Sequence, residues 1–148
     1  MEEQKKRAKR SAKKKSVKKS FIYAVGRRKT ASARVRLYLG KGEMLVNGKL
    51  ISQYFPGKTN EVFYTKPLRI CNVLGKYYAT VKVVGSGKNA QLEAVVHGLA
   101  RALDKLDKEQ FHSFLKKHKL LTRDSRMRER RKAGQAGRAR HKKQSPKR

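Results

Sequence analysis

Acidic residues are scarce: 10 Asp and Glu stand against 41 Lys and Arg in 148 residues, a formal net charge of +31. A free globule with that charge repels itself, so the imbalance points to a polyanionic partner. Cysteine is nearly absent. Cys71 alone excludes an intrachain disulfide and fits a reducing compartment, and its apolar neighbours make it a buried thiol. No run approaches the ~20 apolar residues that span a bilayer. No basic stretch carries the apolar face of an interfacial helix. Nucleic acid is therefore favoured over a membrane.

Catalytic signatures are missing too. His97, His112, His118 and His141 have no Cys or carboxylate at metal-ligand spacing. No nucleophile, base and orienting group form a set, and no carboxylate pair marks a site. "VVGSGKNAQLE" places a glycine loop between a strand and a helix, but it is too short for a phosphate loop, and Asn89 replaces the Ser or Thr that would hold magnesium. The dinucleotide pattern fails at Ala90. Free N–H groups at this helix start suit a single phosphate, or the segment is a plain tight turn. The chain reads as a non-enzyme with no cofactor and no metal.

What is present is cation, unevenly spread. Residues 1–20 hold ten basic and two acidic residues, and residues 123–148 hold twelve and two. Residues 21–122 hold nineteen and six. We therefore expect a lysine-rich, disordered N-terminal arm over 1–20, a globular body over 21–122 and an extended basic tail over 123–148. The first 20 residues lack the apolar core of a secretory signal.

In the body, "FIYAV" predicts a strand ending at Gly26. In "RRKTASARVRLYL", Ala33, Val35, Leu37 and Leu39 alternate with Arg34, Arg36 and Tyr38, so a half-buried strand with a basic second face is expected. Arg27, Arg28 and Lys29 are expected at the preceding turn. Asn47-Gly48 between apolar runs predicts a hairpin. "TKPLRICNVLGK" predicts a short helix with Pro67 near its first turn. "YYATVKVVG" alternates again, turning Ala79, Val81 and Val83 to the core. Leu92, Val95, Val96, Leu99, Leu103 and Leu106 make one helical stripe, with Asn89 as N-cap and His97 as a packed helix residue. A second helix, roughly 108–117, contributes Phe111, Phe114 and Leu115. The fold class is α/β (α+β two-layer sandwich): a small mixed sheet with helices on one face.

"YAVGRRKTASARVRLYLGKG", "VNGK", "HGLARAL" and "LTRDSRMRERRKAG" resemble the universal family of the ninth small-subunit ribosomal protein, in its bacterial form. The likeness runs from about residue 21 to 148 and leaves the lysine-rich first 20 outside. It implies a small α/β sandwich in the head of the small ribosomal subunit, in the cytoplasm. The implied partners are small-subunit ribosomal RNA, peptidyl-site transfer RNA and neighbouring proteins of the head, with no membrane and no homo-oligomer. Carried onto this chain, the ribosomal-RNA-binding residues are Arg27, Arg28, Lys29, Arg34, Arg36, Arg123, Arg126, Arg128, Arg130, Arg131, Lys132, Arg138, Arg140, Lys142 and Lys143. Lys147 and Arg148 are the implied contacts to the anticodon stem-loop. The family usually ends in an aromatic residue followed by Ser-Lys-Arg. Here Gln144 stands in place of the aromatic, and Pro146 lies between Ser145 and Lys147.

A nucleoid or chromatin architectural protein is the alternative, since lysine-rich termini around a small body fit DNA-embracing arms. The arginine-bearing hairpin and a tail with five Arg and no Lys over 123–131 favour structured RNA, where guanidinium groups bind bidentately.

Overall fold

The structure is a computed structural model and describes residues 20–141. The expected N-terminal arm lies outside those residues, apart from Ser20. A five-stranded mixed sheet and its helices make two layers. Strand β1 (Ile22–Arg28) and β2 (Ala31–Leu39) form an antiparallel hairpin. The short β3 (Leu45–Val46) and β4 (Lys49–Leu50) follow, then helix α1 (Ile51–Tyr54) and helix α2 (Lys58–Ile70). Strand β5 (Tyr77–Val84), helix α3 (Lys88–Leu106) and helix α4 (Lys108–Lys117) complete the body. The strand order is β1-β2-β5-β3-β4, antiparallel except for β3 against β5.

Alternation sets the faces of β2 and β5 as expected. Ala33, Val35 and Leu37 are buried opposite Val83, Val81 and Ala79. Leu39 differs: it is the last residue of β2 and is exposed. The Asn47-Gly48 turn forms, with both residues at positive φ, as a tight hairpin between two-residue strands requires. The Asn47 side chain also does a strand's work, accepting from the Val83 N–H at 2.9 Å and donating to the Val83 carbonyl at 3.0 Å.

Helix α3 is central, and its stripe is wider than the six expected residues. Ala90, Ala94, Gly98, Ala100 and Ala102 are buried as well, because the helix packs on the sheet and also against α2 and α4. Its contact with β1 is a backbone-to-backbone approach. A Cβ on Gly26 would collide with the Ala94 carbonyl and the Gly98 backbone, and one on Gly98 would lie 2.6 Å from Val35 Cγ2.

Four local expectations are corrected. Strand β1 does not end at Gly26 but continues to Arg28, so the turn is Lys29 and Thr30, with Lys29 at φ 49°. Pro67 stands in the last turn of α2 rather than the first. Its ring cannot donate to the Phe63 carbonyl, and the helix ends three residues later. Asn89 is not the N-cap of α3. Gly87 holds that position without a side-chain bond, and Asn89 is the second helical residue. Phe114 faces solvent while Phe111 and Leu115 are buried. Helix α4 is capped instead by Asp107, whose carboxylate accepts from the Gln110 N–H at 3.0 Å. Cys71 is buried, and burial pushes its thiol pKa up, in keeping with an inert core thiol.

Candidate nucleic-acid interface

The helices cover one face of the sheet and leave the other bare. Strand pairing sets the rows of the bare face. Tyr23, Arg36 and Thr80 lie side by side, as do Val25, Arg34 and Lys82. Arg34, Arg36 and Lys82 are exposed and form no ion pair among the described residues. They line a groove of about 700 Å³ with Tyr23, Leu45 and Asn47.

Aromatic rings continue the basic rows toward one end of the sheet. The Arg36 guanidinium lies 5.1 Å from the Phe21 ring centre, Phe21 leans on Tyr38 at 5.7 Å, and Tyr38 stacks on Tyr78 at 5.1 Å. Cations beside exposed rings suit a polyanion that also offers flat bases. Lys82 was not among the expected residues, although its alternation with Val81 and Val83 marks it as outward-facing.

The five hairpin cations do not share one surface. Arg27, Arg34 and Arg36 belong to the bare face, and Lys29 projects from the turn. Arg28 has the opposite phase and lies on the helix side. Its side chain is only 11% exposed and pairs with Glu93 of α3 and, at 3.2 Å, with Asp124.

The free edge of β1 is covered by α3. His97, Arg101 and Lys105 are spaced four apart on the helix. His97 Nδ1 accepts from the Arg27 N–H at 3.2 Å, Arg101 donates to the Val25 carbonyl at 2.5 Å, and Lys105 donates to the Tyr23 carbonyl at 3.1 Å. The other His97 nitrogen, Nε2, lies 3.3 Å from the Leu121 carbonyl. The packed-helix expectation for His97 thus holds in part: the ring is half-buried, and both nitrogens have backbone partners. A ring that accepts at Nδ1 and donates at Nε2 is neutral. Burial lowers its pKa, and the charges of Arg101 and Arg123 act in the same direction.

Beyond α4 the chain is irregular and largely exposed to residue 141. Its two acids are taken by its own arginines. Asp124 accepts from the Arg126 guanidinium at 2.7 Å, which holds its carboxyl well below the usual range, with the Arg126 N–H and Arg28 adding to the effect. Glu129 accepts from Arg140 Nε at 2.8 Å, closing a loop in which the Lys132 N–H donates to the Arg138 carbonyl at 3.0 Å. Arg123, Arg128, Arg130, Arg131, Lys132 and Arg138 form no ion pair among the described residues. Lys142, Lys143, Lys147 and Arg148 lie outside the described residues.

The glycine loop before α3 is a tight turn. Gly85 and Ser86 have positive φ, the Gln91 side chain donates to the Gly85 carbonyl at 3.1 Å, and the Lys88 ammonium lies 3.5 Å from the Tyr54 ring centre. No group of three metal-ligating side chains occurs among the described residues.

A two-layer sandwich with one sheet face bare and cationic, and a cationic tail leaving its helix layer, defines a basic α/β class of protein. Comparison narrows the class. The family described as Ribosomal protein S9/S16 matches residues 26–148. The chain is 49% identical over 119 residues to a protein of Maridesulfovibrio salexigens, covering 80% of this chain and 91% of the relative. It is 47% identical over 117 residues to one of Solidesulfovibrio magneticus, covering 79% and 89%. It is 45% identical over 122 residues to one of Lawsonia intracellularis, covering 82% and 93%. All three are named small ribosomal subunit protein uS9. The chain belongs to the ribosomal protein S9 family, and its role is structural rather than enzymatic.

Proposed function

We propose that the chain is a structural constituent of the small ribosomal subunit that binds ribosomal RNA through two surfaces, the bare sheet face and the tail. One observation carries this reading: the sheet face that no helix covers is the face bearing Arg27, Arg34, Arg36 and Lys82. Four cations on one side of a small sheet raise the energy of the free fold. Phosphates relieve that repulsion and release condensed counterions. Rings at Phe21, Tyr23 and Tyr38 add stacking surfaces for unpaired bases. The tail supplies the remaining cations, Arg123, Arg126, Arg128, Arg130, Arg131, Lys132, Arg138, Arg140, Lys142 and Lys143. Lys147 and Arg148 reach the transfer RNA in the peptidyl site, a contact supported by family resemblance. Neighbouring head proteins complete the set of partners.

Reconstitution of small subunits tests both surfaces. Arg34→Gln with Arg36→Gln is expected to lower incorporation into the small-subunit peak in a sucrose gradient. Deleting residues 147–148 is expected to leave incorporation intact and weaken transfer RNA binding at the peptidyl site. Full incorporation of the double variant would remove the sheet face from the interface. Recovery of the native chain with DNA rather than with small subunits would overturn the reading altogether.

A further inference from the structure

The segment directly after α4 is held to the body by two side chains. His97 bonds the Leu121 carbonyl, and Arg28 pairs with Asp124 while donating to the Arg126 carbonyl at 2.6 Å. Leu120 and Leu121 pack against the core beside these bonds. Both clamping residues are themselves fixed. His97 is tied to the β1 edge by the Arg27 N–H, and Arg28 is tied to α3 by Glu93. Arg28 therefore spends its donors on a carboxylate from α3, a carboxylate from the tail and a tail carbonyl. At 11% exposure it offers little to an outside phosphate.

We propose that residues 121–126 belong to the body, that His97 and Arg28 clamp them and so set the direction in which the tail departs, and that the free tail begins after Arg126. Arg28 is then a positioning residue for the tail, not a contact to RNA. The clamp is a property of the free chain; only its use in binding rests on the RNA-binding reading above. Its consequence for binding is preorganisation: the first tail residues are already ordered when RNA arrives, so less freedom is lost on association.

The test uses the full-length protein. In ¹⁵N relaxation, the heteronuclear NOE of residues 121–126 should match the body and fall only after Arg126. Arg28→Gln should lower it over residues 122–126 without changing the rest of the body, and Asp124→Asn, which alters no helix or strand, should reproduce the effect. With a small-subunit ribosomal RNA transcript, Arg28→Gln should weaken binding several-fold at an unchanged salt slope, because the same phosphates are finally met. Arg34→Gln should reduce the slope by about 0.7–0.9. Residues 121–126 as mobile as residues 128–141 in the native chain would overturn the clamp, and so would a slope loss for Arg28→Gln equal to that of Arg34→Gln. Absence of any RNA binding alongside a rigid 121–126 would leave the clamp standing and defeat the RNA-binding reading instead.

Discussion

Gly98 and His97 are adjacent on α3 and do opposite jobs, one by having no side chain and one by using both ends of its ring. The helix backbone meets the β1 backbone at Gly98 and Gly26, with no room for a methyl group on either. Gly98→Ala is expected to cost about 1–3 kcal/mol in a urea melt, because a new methyl must displace Val35. Gly26→Ala should lie at the upper end, since its obstacles are backbone atoms. Stability unchanged by both substitutions would mean that the layers separate easily. At His97, the charged groups around the ring are Arg27 and Arg28 of β1, Glu93 and Arg101 of α3, Lys66 of α2, and Lys119, Arg123 and Asp124 after α4. Its folded pKa is lowered from the ordinary value of about 6.5. The neutral ring's contribution is therefore fully present above that value. It is lost as pH falls below about 6.5 toward the lower folded value, because protonation aims a second N–H at the Arg27 N–H. The amide signals of Arg27 and Thr122 are expected to hold steady as pH falls to about 6.5 and to shift together only below it, where the folded ring takes up its proton. A joint shift centred at or above about 6.5 would contradict the neutral bridge.

Among the elements, β1 is an edge strand, and an uncovered edge is a template for pairing with another chain. The ladder of His97, Arg101 and Lys105 engages three of its outward groups, the Arg27 N–H and the Val25 and Tyr23 carbonyls. Replacing Arg101 and Lys105 together by Ala should free the Tyr23 and Val25 carbonyls, speed amide exchange in β1 and promote concentration-dependent self-association seen by sedimentation. A monomer with unchanged exchange would show that the edge needs no cover. Much at this scale is legible in the sequence. Period-two alternation identifies β2 and β5, the leucine stripe identifies α3, and Asn47-Gly48 identifies the β3–β4 hairpin. The ladder is not legible, because a His, an Arg and a Lys four apart look like any solvated helix face until an edge strand lies beside them. The inward turn of Arg28 is hidden for a related reason. Gly26 has no side chain to mark its face, so the alternation of β1 loses its phase just where Arg28 turns inward. Proline favours a helix start, which misplaces Pro67, yet a proline one turn before a helix end costs only one bond.

At the scale of the whole molecule, the helix-side surface holds the tail's root, and the bare sheet face carries Arg27, Arg34, Arg36 and Lys82 with no ion pair among the described residues. Two cationic surfaces thus leave one small body in different directions. The lysine-rich first 20 residues and the arginine-rich tail are unlike in chemistry: an ammonium screens charge diffusely, whereas a guanidinium fork fixes geometry. Removing residues 1–20 should therefore affect small-subunit assembly mildly, and removing residues 127–148 severely. Ordering the tail costs about 1–2 kcal/mol per residue in backbone freedom, and with almost no apolar area to bury, phosphate contacts must offset it. That requirement makes salt the most direct probe. The affinity of the full-length protein for a small-subunit ribosomal RNA transcript should be measured from about 50 to 200 mM salt. Neutralisation of ~10 phosphates predicts a log–log slope of about −7 to −9 and a loss of ~10⁴- to 10⁵-fold in affinity. The slope should become markedly shallower without residues 127–148 and nearly unchanged without residues 1–20. A shallow slope for the intact chain, or equal slopes for the two truncations, would contradict an RNA-binding protein anchored by its tail.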